Sequence, residues 1–190
     1  MFGLKPNEEV EPLTTCKICG LNYDSELSED RAEHRKFHAK TMRALRPRPL
    51  ARFRRLLNAT GDPVEVKLGS GQWRHDEIYL RAKMFKREFG YDFPQWSPFG
   101  DETPDARGFL FNDDTGTFGH GAIAGACAFR WREFADSAPR WAMDWVWLAP
   151  DVRRKGLLSR QWALFQERFG SFYLQPPVSP AMQQFAIKHG

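Results

Sequence analysis

The chain has 190 residues, of which 42% are hydrophobic and 14% aromatic; this is enough to bury a core and excludes a wholly disordered protein. It has no apolar run of about 18 residues, and no cationic start followed by an apolar stretch at the N-terminus, so we expect a cytoplasmic protein with no membrane partner. The net charge of +4 is unevenly distributed, because acids predominate among the charged residues of 1–30 whereas 41–55 contain six arginines and no acid.

The N-terminal region predicts a zinc site. The stretch "CKICGLNYDSELSEDRAEHRKFH" has the form C-x2-C-x14-H-x3-H, with Cys16, Cys19, His34 and His38 as ligands. Two thiolates in a CxxC turn and two imidazoles one helical turn apart complete a closed tetrahedral site, so the zinc is expected to be structural. The five acids of "DSELSEDRAEH" disfavour a finger that reads DNA bases. We assign residues 1–42 to this zinc finger.

A basic linker is predicted over residues 43–60. Two prolines in "RALRPRPLARFRR" interrupt any continuous helix, which favours a domain boundary here. The arginines suit contact with nucleic acid phosphates or with an acidic protein patch. The alternative is a hinge that only solubilises the chain.

Residues 61–190 are predicted to form the second domain, in which strands and helices follow one another. "PVEVKL" alternates like a strand, "HDEIYLRAKMFKREFG" has helical spacing, and the proline-rich stretch 91–106 is expected to be a loop. Strands are then predicted at "RGFLF", "HGAIAGACAFRW" and "RWAMDWVWLAP", followed by a helix at "GLLSRQWALFQERFG", a strand at "SFYLQP" and a helix at "SPAMQQFAIKHG". This order predicts an α/β (α+β) domain with a mixed sheet.

A phosphate-binding loop is predicted between the strand ending near Leu148 and the following helix. The first N–H groups of a helix are unpaired and its N-terminal end is positive, so an anion is stabilised there. A glycine lets the backbone approach phosphate oxygens, and the sequence matches neither the dinucleotide nor the P-loop pattern. An exposed basic turn is the alternative. The predicted segment comprises Val152, Arg153, Arg154, Lys155, Gly156 and Leu157.

This segment resembles motif A of the GNAT superfamily of N-acetyltransferases, R/Q-x-x-G-x-G/A, with Arg153 and Gly156 in its first two defining positions. The resemblance implies that the loop binds the pyrophosphate of acetyl-CoA and that the preceding strand, including Trp147 and Leu148, lines the pantetheine arm. Leu158 stands at the third position, where glycine or alanine is usual.

A narrower resemblance links both ends of the chain to the eukaryotic cohesin acetyltransferases, which also join a C-x2-C…H-x3-H finger to a compact GNAT domain. The stretches "VWLAPDVRRKGLLSR" and "VSPAMQQFA" are similar to motifs of that family, whose late motif has aspartate where this chain has Pro177. The resemblance implies a GNAT-like mixed central sheet flanked by helices and preceded by a small ββα-type zinc finger.

Acetyl transfer needs a base, because a lysine amine has a pKa of about 10.4. Asp144, just before the strand expected beside the thioester, is the first candidate, and Glu133 is the second. Ser179 or Tyr173 is a candidate to protonate the leaving thiolate. In GNAT enzymes a backbone N–H of the strand, here near Leu148, commonly polarises the thioester carbonyl.

The sequence therefore predicts an acyltransferase that uses acetyl-CoA as cosubstrate and carries one structural zinc. The acceptor is expected to be a lysine of a protein, and the finger would dock that substrate or brace the catalytic domain. Two alternatives remain open: a non-catalytic adaptor that binds protein or nucleic acid, and a small-molecule amine acetyltransferase.

Overall fold

A computed structural model describes residues 13–99, 103–135 and 137–190. Residues 1–12 of the predicted finger and residues 100–102 of the predicted loop lie outside the described residues. The chain divides between Met42 and Arg43 into two units, which are described separately.

The first unit is a small hairpin followed by a helix. Strands β1 (Thr14–Thr15) and β2 (Asn22–Tyr23) pair antiparallel, with Thr14 opposite Tyr23. Helix α1 spans Ser28–Leu45 and has two acids in its first turn, where the helix dipole favours negative charge. The order confirms the predicted ββα arrangement.

The second unit is built on a five-stranded mixed sheet with the order β3-β4-β5-β6-β7. Its first four strands pair antiparallel with their neighbours, whereas β6 and β7 are parallel. This confirms the predicted mixed sheet. The strands are β3 (Val64–Val66), β4 (Ala106–Asn112), β5 (Ile123–Phe134), β6 (Ser137–Leu148) and β7 (Tyr173–Leu174).

Helices cover both faces of this sheet. They are α2 (Ala51–Arg54), α3 (Gln72–Phe89), α4 (Leu157–Phe169) and α5 (Pro180–His189). On β4, a Cβ at Gly108 would lie 3.0 Å from Ile78 of α3, while the next residue, Phe109, packs against Phe165 of α4 with ring centroids 5.1 Å apart. Because successive strand residues point to opposite faces, α3 and α4 lie on opposite sides of the sheet.

The core on the α4 side consists largely of phenylalanine rings. Phe165 is buried and packs against Phe129 of β5 at 5.0 Å, and Phe129 also stacks on Phe169 at 4.4 Å. Such tilted and offset ring pairs add to the free energy gained by burying the rings. The cluster fixes α4, and with it the loop that precedes α4, against the sheet.

The segment predicted as a linker packs onto the second unit. Phe53 is fully buried in its core, and the Leu50 N–H donates to the Gly121 carbonyl at 2.9 Å. The four-residue helix α2 within this segment was not predicted. Across the described part of the chain, the helices lack the combination of length and apolar character that a membrane crossing requires.

Candidate functional site

Four ligand atoms converge in the first unit. Cys16 and Cys19 lie on the turn between β1 and β2, and α1 presents His34 and His38 from successive turns. Their ligand atoms all lie within 4.8 Å of one another, and Cys16 Sγ is 3.4 Å from His38 Nδ1. Two thiolates and two imidazoles at this separation are the donor set of a closed structural zinc site.

The residues around these ligands fit a metal. His34 Nε2 is buried with no hydrogen-bond partner among the described residues, which is unfavourable unless its lone pair binds a cation. The Tyr23 ring stacks on His34 at 4.1 Å and so fixes the imidazole orientation. The pKa of Cys16 is lowered to about 5, mainly by a hydrogen bond from the Cys19 backbone N–H and next by a hydrogen bond from the His34 side chain. The low pKa favours the thiolate, which is the form that binds zinc.

In the second unit, strands β6 and β7 splay apart. They pair at Ala142–Tyr173 and Met143–Leu174, and the Gln175 N–H donates to the Met143 carbonyl at 3.0 Å. Within the described residues the ladder between them ends there, although β6 continues to Leu148. The separation opens one edge of β6.

The open edge of β6 presents backbone groups. The Ala149 N–H donates to the Ala124 carbonyl of the β5 side at 2.8 Å. Because antiparallel residues alternate in the direction of their hydrogen bonds, Val146 and Leu148 direct their N–H groups away from β5. The Leu148 carbonyl accepts from Arg153 Nε at 3.0 Å. The strand therefore offers donors to an extended ligand lying along it.

A cleft of about 880 Å³ lies along this edge, within the size range of small-molecule sites. Its walls come from the end of α3, strand β6, the loop before α4, the first turn of α4, the segment after β7, and α5. The longest continuous stretches of lining residues are 143–148, 156–159 and 177–182.

The loop between β6 and α4 forms a cradle of backbone donors at one end of the cleft. Gly156, with φ of 79°, precedes α4, and Arg154 also has a positive φ of 61°. Beyond Arg153, the first backbone N–H that donates to a backbone carbonyl is that of Arg160, which donates to Gly156 at 3.1 Å. Among the described residues, no acceptor is present for the N–H groups of 154–159. Unpaired donors at a helix start bind anions.

Arg153 does not point freely into this cradle. Its guanidinium forms a two-point ion pair with Glu88 of α3, at 2.5 and 2.6 Å. Glu88 also accepts from Trp147 Nε1 at 2.9 Å. Burial raises the pKa of Glu88, but the hydrogen bonds from Arg153 and Trp147 outweigh this and lower it overall. Arg153 thus ties the end of β6 to α3.

The other cations of the loop differ from one another. Lys155 Nζ donates to Thr117 Oγ1 at 2.8 Å, and Arg160 pairs with Asp114, which raises the pKa of Arg160. Arg154 is exposed and has no side-chain partner among the described residues. Sequence reasoning missed Glu88, Asp114 and Thr117, because a partner 38 to 65 positions away leaves no local pattern.

The structure brings most of the predicted cofactor residues to the cleft. Val152 is buried and Lys155 is exposed, and neither lines the cleft. The predicted residues that line the cleft are Trp147, Leu148, Arg153, Arg154, Gly156 and Leu157.

The candidate catalytic residues occupy different surroundings. Asp144 lines the cleft, but its side chain is fully buried and pairs with Arg130 and Arg132, each at 2.9 Å. Ser179 also lines the cleft and caps α5, since its Oγ accepts from the Met182 N–H at 3.3 Å. Glu133 is exposed on β5 and does not line the cleft.

Tyr173, the other candidate to protonate the leaving thiolate, is 38% exposed. It packs edge-on against the ring of Phe134 at 5.1 Å. It lies on β7 where this strand pairs with β6, and it is not among the residues that line the cleft.

Comparison with known proteins bears on both units. Residues 7–40 match the family model described as the zinc-finger of acetyl-transferase ESCO. No curated protein sequence matches the chain. The first unit is therefore similar to the zinc finger of ESCO acetyltransferases, and its four ligands have the C2H2 arrangement.

Several solved structures with a similar fold are acetyltransferases. An aminoglycoside acetyltransferase from an uncultured soil metagenomic sample has 12% identity and a TM-score of 0.45, covering 67% of this chain and 86% of that chain. The xEco2 acetyltransferase domain has 14% identity and a TM-score of 0.47, covering 67% and 85%. A ribosomal-protein-alanine N-acetyltransferase from Brucella melitensis biovar Abortus 2308 has 16% identity and a TM-score of 0.44, covering 67% and 88%. The likeness is one of fold alone.

Proposed function

We propose that the chain is an acetyl-CoA-dependent N-acetyltransferase that modifies a lysine of a protein. One observation supports this above all: the open edge of β6 runs directly into the cradle of unpaired N–H groups before α4. An extended arm with a diphosphate at one end matches both features in a single cleft. Acetyl-CoA has this shape and supplies the activated acetyl group.

The cradle is proposed to hold the diphosphate. Gly156 has no Cβ, so phosphate oxygens can approach the backbone N–H groups of the loop and of the first turn of α4. Arg154 adds a cation with no competing partner among the described residues. Arg153 is assigned a supporting role, because its guanidinium is already bound by Glu88 and the Leu148 carbonyl.

The open strand edge is proposed to hold the pantetheine arm and the thioester. An amide of the arm can pair with Val146 as another strand would. The Leu148 N–H is directed away from β5, and a donor there polarises a carbonyl as negative charge develops on its oxygen. The groups that perform this step belong to the backbone, so their positions depend on the β6 register rather than on side-chain identity.

Deprotonation of the acceptor is assigned to Asp144, which is the carboxylate nearest the start of the open edge. Because Arg130 and Arg132 both bind this carboxylate, accepting a proton requires Asp144 to weaken at least one of these ion pairs. Ser179 is assigned to the leaving thiolate, since its hydroxyl lies in the cleft wall and keeps a proton to donate.

Calorimetric titration with acetyl-CoA tests the binding site. Gly156→Trp should abolish binding, because the side chain would enter the cradle and a Cβ alone would lie 3.0 Å from Arg160 Nη1. Gly69→Trp is the matched control, since Gly69 also has a positive φ but has no atom within 4 Å of an added Cβ. Equal affinity in the two folded variants would overturn the assignment.

Intact-mass analysis of acceptors tests the reaction. A gain of one acetyl group on a lysine-containing peptide, absent when its lysines are replaced by arginine, supports a protein lysine as acceptor. Acetylation of small amines alone would move the assignment to a small-molecule acetyltransferase. Binding of acetyl-CoA without any transfer would favour a non-catalytic adaptor.

A further inference from the structure

The arginine-rich segment 43–57 forms a fixed surface of the second unit. Its six arginines are all exposed, and the segment contains no acid. A surface with this density of one sign of charge attracts a polyanion when its cations have fixed positions. The six are Arg43, Arg46, Arg48, Arg52, Arg54 and Arg55.

One buried carboxylate anchors the segment at two points. The Glu77 side chain is 2% exposed, and Arg43 and Arg52 approach its Oε1 at 3.4 and 3.6 Å. Its other oxygen is bound by the buried Arg81 at 2.7 Å. The Arg52 guanidinium also lies 4.5 Å from the centre of the Trp73 ring. These contacts hold the arginine run against α3 at Arg43 and at Arg52.

A second anchor lies directly after Arg52, at Phe53 and Arg54. Phe53 is fully buried, and Arg54 Nε donates to the His120 carbonyl at 2.9 Å. Gly121, with φ of 91°, makes this possible, because a Cβ there would lie 2.3 Å from Arg54 Cγ. Backbone and side-chain bonds to residues 120 and 121 therefore fix α2 in place.

Three arginines remain available for a ligand. Arg46, Arg48 and Arg55 are exposed and have no ion pair, hydrogen bond or ring contact from their side chains in the part of the chain that the structure describes. Arg46 and Arg48 lie between the anchors at Arg43 and Arg52, and Arg55 follows Arg54 directly, with its N–H donating to the Ala51 carbonyl at 3.3 Å. Because folding has already ordered the backbone of these arginines, less conformational entropy is lost when a partner binds to them.

We propose that Arg46, Arg48 and Arg55, here called the arginine ledge, bind the phosphate backbone of duplex nucleic acid without reading its sequence. Arginine forks match phosphate oxygens, and the segment uses arginine at every one of its cationic positions. The one aromatic residue between 43 and 57 is the buried Phe53, and the Arg52 guanidinium covers the nearby Trp73 ring, so the segment itself offers no free ring on which unpaired bases could stack. Contacts to phosphates alone suit a duplex, whose bases are already stacked.

Fluorescence anisotropy with a labelled duplex of about 20 base pairs tests the ledge over about 50 to 200 mM salt. Three phosphate contacts give a slope of about 2.7 in log affinity against log salt, or roughly a 40-fold loss across that range. The triple variant Arg46→Ser, Arg48→Ser, Arg55→Ser should lower the slope by about 2.7. The same three positions changed to lysine should keep most of the slope.

A second triple variant controls for net charge. Lys17→Ser, Arg35→Ser and Lys67→Ser remove three exposed cations outside the ledge and should leave the slope unchanged. An equal loss in this control would overturn the proposal, because binding would then follow net charge alone. Displacement of the duplex by polyglutamate at equal charge concentration would instead assign the ledge to acidic proteins. All arms use the full chain and measure no acetylation, so they are independent of the proposed enzyme activity.

Discussion

Asp144 has two roles in the cleft: it balances the charge of two arginines, and it is the proposed base. Its carboxylate balances Arg130 and Arg132, so Asp144→Asn should leave both guanidiniums poorly compensated and lower the free energy of unfolding by about 1–3 kcal/mol. If Asp144 is also the base, turnover should fall by about 10² to 10⁴ while acetyl-CoA affinity holds, and higher pH should partly restore it. Urea unfolding and steady-state rates across pH measure the two effects.

Glu133→Gln is the comparison for that variant. Glu133 is exposed, and its substitution should change stability by no more than about 0.5 kcal/mol. If Glu133→Gln loses its turnover while Asp144→Asn keeps normal rates, the base is Glu133.

His75 gives the second unit a pH-dependent stability. It is buried and stacks on Trp96 at 5.9 Å, and its Nδ1 has no partner among the described residues. Burial, followed by the charge of Arg74, lowers the pKa of His75, while Asp76 partly opposes this. The unfolded chain therefore binds more protons below about pH 6.5, so this contribution to stability is present above that pH and is lost as pH falls.

The variant His75→Phe should remove that dependence. Between about pH 7 and pH 5, the wild type should lose stability relative to the variant by at most about 1.4 kcal/mol per pH unit. Urea unfolding at each pH provides the comparison. Parallel stability curves for the two proteins would show that His75 does not titrate on unfolding.

Charge pairing was the least predictable property of individual residues. The sequence predicts that Arg153 lies in a phosphate-binding loop, but it gives no sign of the partner Glu88, which lies 65 positions away on another helix. Oppositely charged residues on distant elements form ion pairs because the fold brings those elements together. Such a pair leaves no periodic pattern in the sequence. The zinc ligands were predictable for the opposite reason, since their spacing itself defines the chemistry.

Among elements, the finger depends most on its ligand. Strands β1 and β2 have two residues each, too few to hold a hairpin without the metal. Metal analysis should find about one zinc per chain, and Cys16→Ser or His38→Ala should remove amide protection from residues 13–42. Full protection in a rigorously metal-free sample would contradict this.

The short helix α2 illustrates why some elements escape sequence analysis. Long periodic stretches such as α3 and β5 were predicted within a few residues, whereas α2 has four residues beside two prolines and shows no period. Its role follows from packing. Phe53→Ala should lower the free energy of unfolding by about 3–5 kcal/mol, because it leaves a cavity in the core. Arg55→Ala, at the exposed end of the same turn, should have little effect in the same denaturation experiment.

The cleft was predictable in its parts but not in its shape. Its strand, loop glycine and helix were all evident in the sequence, while the splay of β6 from β7 follows from a β7 of only two residues. A strand that short gives no alternating pattern long enough to fix its pairing. The width of the cleft therefore depends on where backbone pairing stops.

At the scale of the whole molecule, the zinc ligands and the cleft belong to different units. Every residue that lines the cleft lies between Phe85 and His189, in the second unit. Cys16→Ser should therefore leave the calorimetric affinity for acetyl-CoA unchanged, within about twofold, even though it disrupts the finger. A large loss of affinity would instead show that the finger braces the catalytic domain.

If acetyl-CoA binds along the open edge of β6 as proposed, the stability of the folded protein depends on the concentration of this ligand. A ligand that pairs with the backbone groups along this edge binds the folded state and not the unfolded chain, and therefore stabilises the folded state. At a concentration of about 100 times its dissociation constant, such a ligand adds about 2.7 kcal/mol to the free energy of unfolding. Proteases act on transiently opened molecules, so cellular abundance should rise and fall with the supply of acetyl-CoA, before any regulation of synthesis.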